Sequence, residues 1–235
     1  AVHKDGHLHV SLAEAGTAAG SGARSEAAVP RKFPPLIQSA KTIAPGIGYI
    51  RFTAFMGRDE ELAAIRKWLA DHRDAQTLIF DLRNHHGGGL DEMDVIFPYL
   101  LAERTPLVKM AVAKYIHDQG RYSAGDRPTI QTAIEGDQVV DTHFAIPGED
   151  TPLRKAKVYV LVSNATASAA EHFALALKST GRATLIGEPT TGANHFGGSQ
   201  PISDHFAVWM PVGRTYDIKT GKDWEGGGIA PDIAI

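Results

Sequence analysis

Val158-Tyr159-Val160-Leu161-Val162-Ser163-Asn164-Ala165-Thr166-Ala167-Ser168-Ala169-Ala170-Glu171 decides the fold. Val158 to Val162 form a continuous apolar, β-branched run, the pattern of a buried strand. A turn of small residues follows, and then His172 to Thr180 reads as a helix stopped by Gly181. Strand, sharp turn and helix put Ser168 near a helix N-terminus. Unpaired N–H groups and the macrodipole stabilise an anion there. A serine that attacks a carbonyl creates such an anion and needs donors beside it. Ser168-Ala169-Ala170-Glu171 equally fits a capping box, and caps are commoner than nucleophiles. The small residues Ala165, Ala167, Ala169 and Ala170 leave open space around the hydroxyl, which a cap does not require. On this segment alone both readings stand.

Outward from this stretch, strand and helix patterns alternate. Gly48–Phe52 is a strand, and Asp59–Arg73 is a helix with Leu62, Ile65 and Leu69 on one stripe. Thr77–Leu82 is a buried strand, Leu90–Ala102 a helix, and Leu107–Ile116 a strand. Residues 120–154 are turn-rich, with weak strand signals near 129–134 and 139–146. Ala183–Gly187 is a strand. Phe206–Val212 and Arg214–Ile218 look like an antiparallel pair. Gly6–Leu12 alternates as a short strand, whereas 13–35 is rich in Ala, Gly, Ser, Arg and Pro without period and reads as a flexible insert. The alternation predicts an α/β fold with a largely parallel central sheet. It divides the chain into an N-terminal strand segment with its insert (1–45) and a core domain (46–235).

A second constellation is Asp81-Leu82-Arg83-Asn84-His85-His86-Gly87-Gly88-Gly89. Three glycines after a buried strand let the backbone approach a ligand and turn N–H groups outward. The Lys-Ser/Thr that completes a phosphate-binding P-loop is missing. A plain strand–helix turn and an oxyanion loop remain. The oxyanion reading is favoured because open α/β sheets bind ligands at the carboxyl ends of their strands, where Ser168 also lies.

Composition excludes several chemistries. The 235 residues contain no cysteine, which removes disulfides, thiolate catalysis and cysteine metal sites. Net charge of −3 argues against a nucleic-acid surface, and no apolar run reaches membrane-spanning length. With 11 histidines, the presence of one proves nothing about a base. The pairs His7/His9 and His85/His86 lack a third ligand at motif spacing, so no metal and no cofactor is expected. The chain opens on Ala1-Val2-His3-Lys4, as a mature or trimmed product would.

Asp81-Leu82-Arg83 with Gly87-Gly88, Asn164 to Glu171, Gly187-Glu188-Pro189-Thr190-Thr191-Gly192 and Gly228-Ile229-Ala230-Pro231-Asp232 occur in the order of the C-terminal processing (tail-specific) serine peptidases, which this chain resembles from about Gly46 to Ile235. The resemblance implies a crotonase/ClpP-like ββα-spiral core and peptide hydrolysis through an acyl-enzyme with Ser168 as nucleophile. In the tail-specific branch a lysine base follows the Gly-Glu-Pro-Thr segment. Ala193 stands there, and no lysine lies between Lys178 and Lys219. The branch of the tricorn core protease and the interphotoreceptor retinoid-binding protein takes its base from an upstream histidine and its carboxylate from a late glutamate. Asp5-Gly6-His7-Leu8 and Trp224-Glu225-Gly226-Gly227-Gly228-Ile229 are similar to those motifs. The resemblance thus implies His7 as base and Glu225 as its partner, the logic of a catalytic triad. It implies Gly88, Gly87 and the Ala169 amide as oxyanion donors. His85-His86 replace the family's Asn-Pro or Asn-Gly pair and become candidates to line the pocket.

The interval from His7 to Gly46 is shorter than the about 80 residues of the family's PDZ domain, and the N-terminal helical domain of that branch is missing, as in a fragment. The expected partner is a peptide or protein, in a periplasmic or other extracytoplasmic compartment, with a cytoplasmic one left open. Two rival functions share the fold: a module that binds hydrophobic ligands, and a crotonase-like acyl-CoA enzyme without need of a serine nucleophile.

Overall fold

The computed structural model describes residues 9–12 and 35–235. In chain order the elements are β1 (His9–Leu12), β2 (Ile37–Ala44), β3 (Ile47–Phe52), α1 (Asp59–Asp71), β4 (Thr77–Asp81), α2 (Asp91–Leu100) and β5 (Thr105–Ala113). Then come α3 (Lys114–Asp118), β6 (Ile130–Glu135), β7 (Gln138–Ala145), β8 (Lys157–Val162) and α4 (Ala169–Ser179). The chain closes with β9 (Thr184–Gly187), β10 (His195–Pro201), β11 (Phe206–Asp217) and β12 (Ile233–Ala234). They form two six-stranded sheets. One runs β12-β9-β8-β4-β3-β2, parallel throughout except for the antiparallel edge strand β2. The other runs β1-β11-β5-β7-β6, with β10 on the far side of β11, and is antiparallel.

The expected parallel sheet is present, and its core residues follow from period and burial. Leu78 and Phe80 of β4 and Val158, Val160 and Val162 of β8 are buried. Ile65, Trp68 and Leu69 of α1 pack against the same core, with Leu62 at its margin. In α4, eight of eleven residues are buried, on every face. Such a helix belongs between two layers, and α4 packs on β9 while touching β5 and β11 of the other sheet. Phe173 fixes it there. Its ring lies 5.3 Å from Phe80 of β4, 5.2 Å from Phe97 of α2 and 5.9 Å from Phe55.

Several elements differ from expectation. The expected pair at 206–212 and 214–218 is one strand, β11, because ladder bonding to β5 continues through Gly213 and Arg214. Its hairpin partner is β10, whose Gly197 and Gly198 hide it, glycine being poor in strand propensity. β5 stops at Ala113, opposite Gln138 at the β6–β7 turn; beyond that point it has no partner strand, and the chain coils into α3. β2 was not foreseen because an edge strand leaves most of its side chains exposed.

Phe173→Ala should lower the free energy of unfolding by about 3–5 kcal/mol, read by urea titration with tryptophan fluorescence. A loss under 1 kcal/mol would show that the aromatic cluster does not hold α4 in place.

Candidate active site

Asp81 and Leu161 are opposite each other in adjacent strands β4 and β8, so the loops that follow leave the same sheet edge. Asp81 anchors the first loop. The carboxylate accepts bonds from Arg83 Nε (3.0 Å) and Nη2 (2.8 Å) and from the Tyr49 hydroxyl (2.6 Å). Burial pushes the Asp81 carboxyl up, but the Arg83 and Tyr49 hydrogen bonds outweigh it and hold the group below the ordinary carboxylate value. The two loops are then stitched together. Thr166 Oγ1 donates to Leu82 O (2.9 Å), Ser163 Oγ to Arg83 O (2.5 Å) and Ala167 N to His85 O (3.0 Å).

This stitching places Ser168 over the glycines. Ser168 has φ 55° and ψ −119°, and it is the one non-glycine residue with positive φ among the described residues. An ordinary N-cap sits in the β region, so this backbone is strained, at a cost on the order of 1–3 kcal/mol. Gly87 lies directly beneath: a Cβ there would come 2.8 Å from Ser168 Cβ and 3.2 Å from its Oγ. The Gly87 N–H donates to His85 Nδ1 at 3.1 Å. Gly88 and Ala169 keep backbone N–H groups that bond to no protein acceptor among the described residues.

Glu171 ties the serine turn to the segment that follows β9. Its carboxylate, fully buried, accepts from Ser168 N (2.8 Å), Thr190 Oγ1 (2.5 Å), Gly192 N (2.8 Å) and Ala193 N (2.9 Å). The Glu171 half of the capping box is therefore formed, and it serves the turn that bears the serine. Glu225 Oε2 accepts from Asn194 N (2.8 Å) and His195 N (3.1 Å), with His195 Nδ1 3.9 Å away. His7 lies outside the described residues. His85 is fully buried and stacks edge-on against Phe55 at 4.2 Å, behind the loop; His86 faces solvent. Neither lines the cavity beside Ser168, contrary to the sequence-based expectation: one ring is packed in the core and the other stands in solvent.

That cavity holds about 270 Å³ and is walled by Ser168, Ala169, Gly88, Ala193, His172 and Phe196, among others. His172 was not foreseen. Its Nε2 lies 2.9 Å from His143 Nδ1, and His143 Nε2 lies 3.0 Å from Asp94 Oδ1. Arg127 closes the chain, with Nη1 3.0 Å from Asp94 Oδ2 and a bidentate pair to Asp91. The available signal was a polar residue in each of three apolar runs, which sequence cannot connect. A larger cleft of about 510 Å³ runs between Arg66, Leu69, Pro98 and Gly148, and Asp94 also reaches it.

Burial, with the charge of His86 next, lowers the His85 pKa to about 3, and burial likewise holds His172 well below the ordinary imidazole value. Both rings are neutral in the fold and free to protonate once unfolded. Stability is therefore complete above about pH 6.5 and falls as pH drops from there toward the folded values. Urea-unfolding free energies measured from pH 7 to 4.5 should decline by up to about 1.4 kcal/mol per pH unit for each ring. His85→Asn should flatten that slope, and an unchanged slope would clear His85 of the effect.

Residues 46–235 match the family described as Peptidase family S41. The chloroplastic carboxyl-terminal-processing peptidase 1 of Arabidopsis thaliana is 30% identical over 194 residues, covering 80% of this chain and 33% of its own length. The carboxyl-terminal-processing protease of Picosynechococcus is 27% identical over 191 residues, covering 80% and 39%. Among solved structures, the photosystem II D1 C-terminal processing protease superposes with a TM-score of 0.58 at 24% identity, over 80% of this chain and 42% of that one. A putative peptidase from Parabacteroides merdae reaches 0.63 at 21% identity, over 87% and 58%. These two show the same mixed α/β fold. The chain spans about a third of the length of the curated relatives it matches. With four-fifths of its residues inside the family match and with this order of loops at one sheet edge, the chain belongs to peptidase family S41.

Proposed function

We propose that the chain is a serine peptidase that hydrolyses peptide bonds through an acyl-enzyme on Ser168. The observation that carries this is the strained Ser168 backbone, held over Gly87 with the Gly88 and Ala169 amides unused. A cap needs no strain, whereas a nucleophile lifted off a sharp strand-to-helix turn does. The two amides are the donors we assign to the oxyanion, and Gly87 leaves room for the serine while its own N–H is taken by His85. We take the fold to be the ββα-spiral of the crotonase/ClpP type, with 46–235 as the peptidase core and 1–45 as its N-terminal strand segment and insert.

His7 is proposed as the base and Glu225 as its orienting carboxylate, in the manner of the tricorn-like branch. Two observations support this. β1 pairs with β11, His9 opposite Trp209, so the segment that follows His7 is carried onto the core. Glu225 is fixed through Asn194, which lines the cavity with Ser168. His7 would take the Ser168 proton as Oγ bonds the carbonyl carbon. It would then return that proton to the leaving amine as the C–N bond breaks, and water would release the acyl group by the same steps reversed. Peptides or proteins are the proposed substrates. The plant relatives' names give a chloroplast address, and an extracytoplasmic compartment is proposed here. Among the described residues, no helix is long and apolar enough to cross a membrane.

Ser168→Ala and Ser168→Gly should both lose peptide hydrolysis and labelling by a fluorophosphonate. The glycine variant alone relieves the positive φ, so it should unfold at about 0.5–2 kcal/mol higher free energy than the alanine one. Hydrolysis that survives in either variant leaves Ser168 a cap. To test the base, His7→Ala and His195→Ala are compared by turnover of one fluorogenic peptide. His7→Ala should fall at least ~10²-fold and His195→Ala stay near wild type; the reverse ranking would move the base to His195.

A further inference from the structure

We propose that His85 is a positioning residue for the oxyanion donor: its ring nitrogen Nδ1 pins the Gly87 N–H inward while its backbone carbonyl holds the serine turn, so that the Gly88 amide and Ser168 keep one fixed spacing. This rests on the peptidase reading of Ser168 and adds the residue that holds the two halves of that site in register.

The ring state follows from one bond. The Gly87 N–H donates to His85 Nδ1 at 3.1 Å, and the His85 side chain is fully buried. Only a ring nitrogen without a proton accepts, so the imidazole is neutral and its one proton sits on Nε2. Nε2 is buried and meets no acceptor among the described residues. Burying that N–H unpaired is costly, and a leucine in its place would avoid the cost. What an apolar side chain could not do is accept from Gly87.

That acceptor matters because consecutive glycines have the freest backbone a chain offers. Gly87 and Gly88 have φ 100° and 132°. Partners on the inner side remove this freedom. Gly87 O accepts from Phe55 N at 2.9 Å, and Gly89 N donates to Phe55 O at 2.7 Å. The peptide between Gly87 and Gly88 is trans, so with its carbonyl on Phe55 its N–H faces the opposite way, and Gly88 lines the cavity with Ser168. The N–H of the preceding peptide is fixed, among the described residues, by the His85 ring alone.

The His85 carbonyl meanwhile accepts from Ala167 N at 3.0 Å, one residue before the serine. One residue thus bonds to both loops of the site. Without the ring acceptor, the Gly87 N–H must turn to find another. The side left to it is that of Ser168, whose Oγ lies 3.2 Å from the point a Gly87 Cβ would occupy. Such a turn carries Gly88 with it and tilts its amide off the oxyanion.

The test separates the acceptor from the bulk. Asn and Leu share one branched outline, with Oδ1 of Asn where His85 has Nδ1 and a methyl group there in Leu. His85→Asn and His85→Leu therefore open the same space behind the loop and differ chiefly in the acceptor. Turnover of one fluorogenic peptide should stay within about fivefold of wild type in His85→Asn and fall ~10²-fold or more in His85→Leu, with the loss in kcat and KM little changed. Peptide binding to the Ser168→Ala chain should not move when His85→Leu is added. In the full chain labelled with ¹⁵N, the Gly87 amide nitrogen should show scalar coupling to His85 Nδ1 through the hydrogen bond. Hydrogen exchange at Gly87 should be slow in wild type and His85→Asn and fast in His85→Leu. Equal turnover in the two variants, a loss carried by KM, or no coupling in the wild type, which is read without any variant, overturns the assignment. A wild type that shows the coupling but hydrolyses no peptide would instead count against the peptidase reading, with the pinned loop intact.

Discussion

The site depends on one buried carboxylate. Glu171 is fully buried, and an uncompensated carboxylate in that position would be prohibitive. Four donors compensate it, one from the Ser168 turn and three from the 190–193 segment: the Thr190 hydroxyl and the Gly192 and Ala193 amides. Thr190 Oγ1 in turn accepts from Ile229 N at 2.7 Å, and Gly226 N donates to Gly192 O at 2.7 Å. The C-terminal segment that bears Glu225 is thereby tied to the same carboxylate. Burial makes each of these bonds obligatory, since a buried donor left unmet costs about 1–3 kcal/mol. The loops are therefore held in the one mutual arrangement that brings all four donors to Glu171.

That constraint is what makes a strained serine tolerable. Backbone strain survives only where the surroundings over-determine it. Ser168 is held from its own N–H by Glu171, from the preceding residue by His85 O, and from beneath by the close approach to Gly87. The Asp81–Arg83 pair and the Thr166–Leu82 bond stiffen the base of both loops. The hydroxyl is presented by a rigid edge between two sheets, with the packing of Phe173 behind it.

The sequence made the parallel half of the fold and the serine turn legible because each is a local pattern. Continuous apolar runs gave β4 and β8, and small residues between a strand and a helix gave the turn. The capping box was legible as a local pattern, but three of the four donors to Glu171 come from 19 or more residues away, which no local pattern reports. The antiparallel sheet was half legible. Glycines at 197, 198 and 213 look like turn signals, and only pairing to β11 and β5 makes them strand. His85 and His86 were legible as unusual but not as to side: alternate residues of the loop face opposite ways, one into the core and one to solvent. Asp94, His143 and His172 come from α2, β7 and α4, and only the packing of α4 between the sheets brings them into line.

Residue 193 links the choice of base to the shape of the site. Its side chain is a methyl group, buried, on the wall of the cavity that Ser168 and His172 share. Its amide is already committed to Glu171. A lysine at this position would place four methylenes and an ammonium into the same space, and burial would have to strip that ammonium of its charge before it could act as a base. Alanine leaves that space open and contributes no titratable group at position 193. Ala193 and His172 on one cavity wall with Ser168, and the Glu225 carboxylate that accepts from Asn194 N and His195 N beside it, are thereby parts of one packed arrangement.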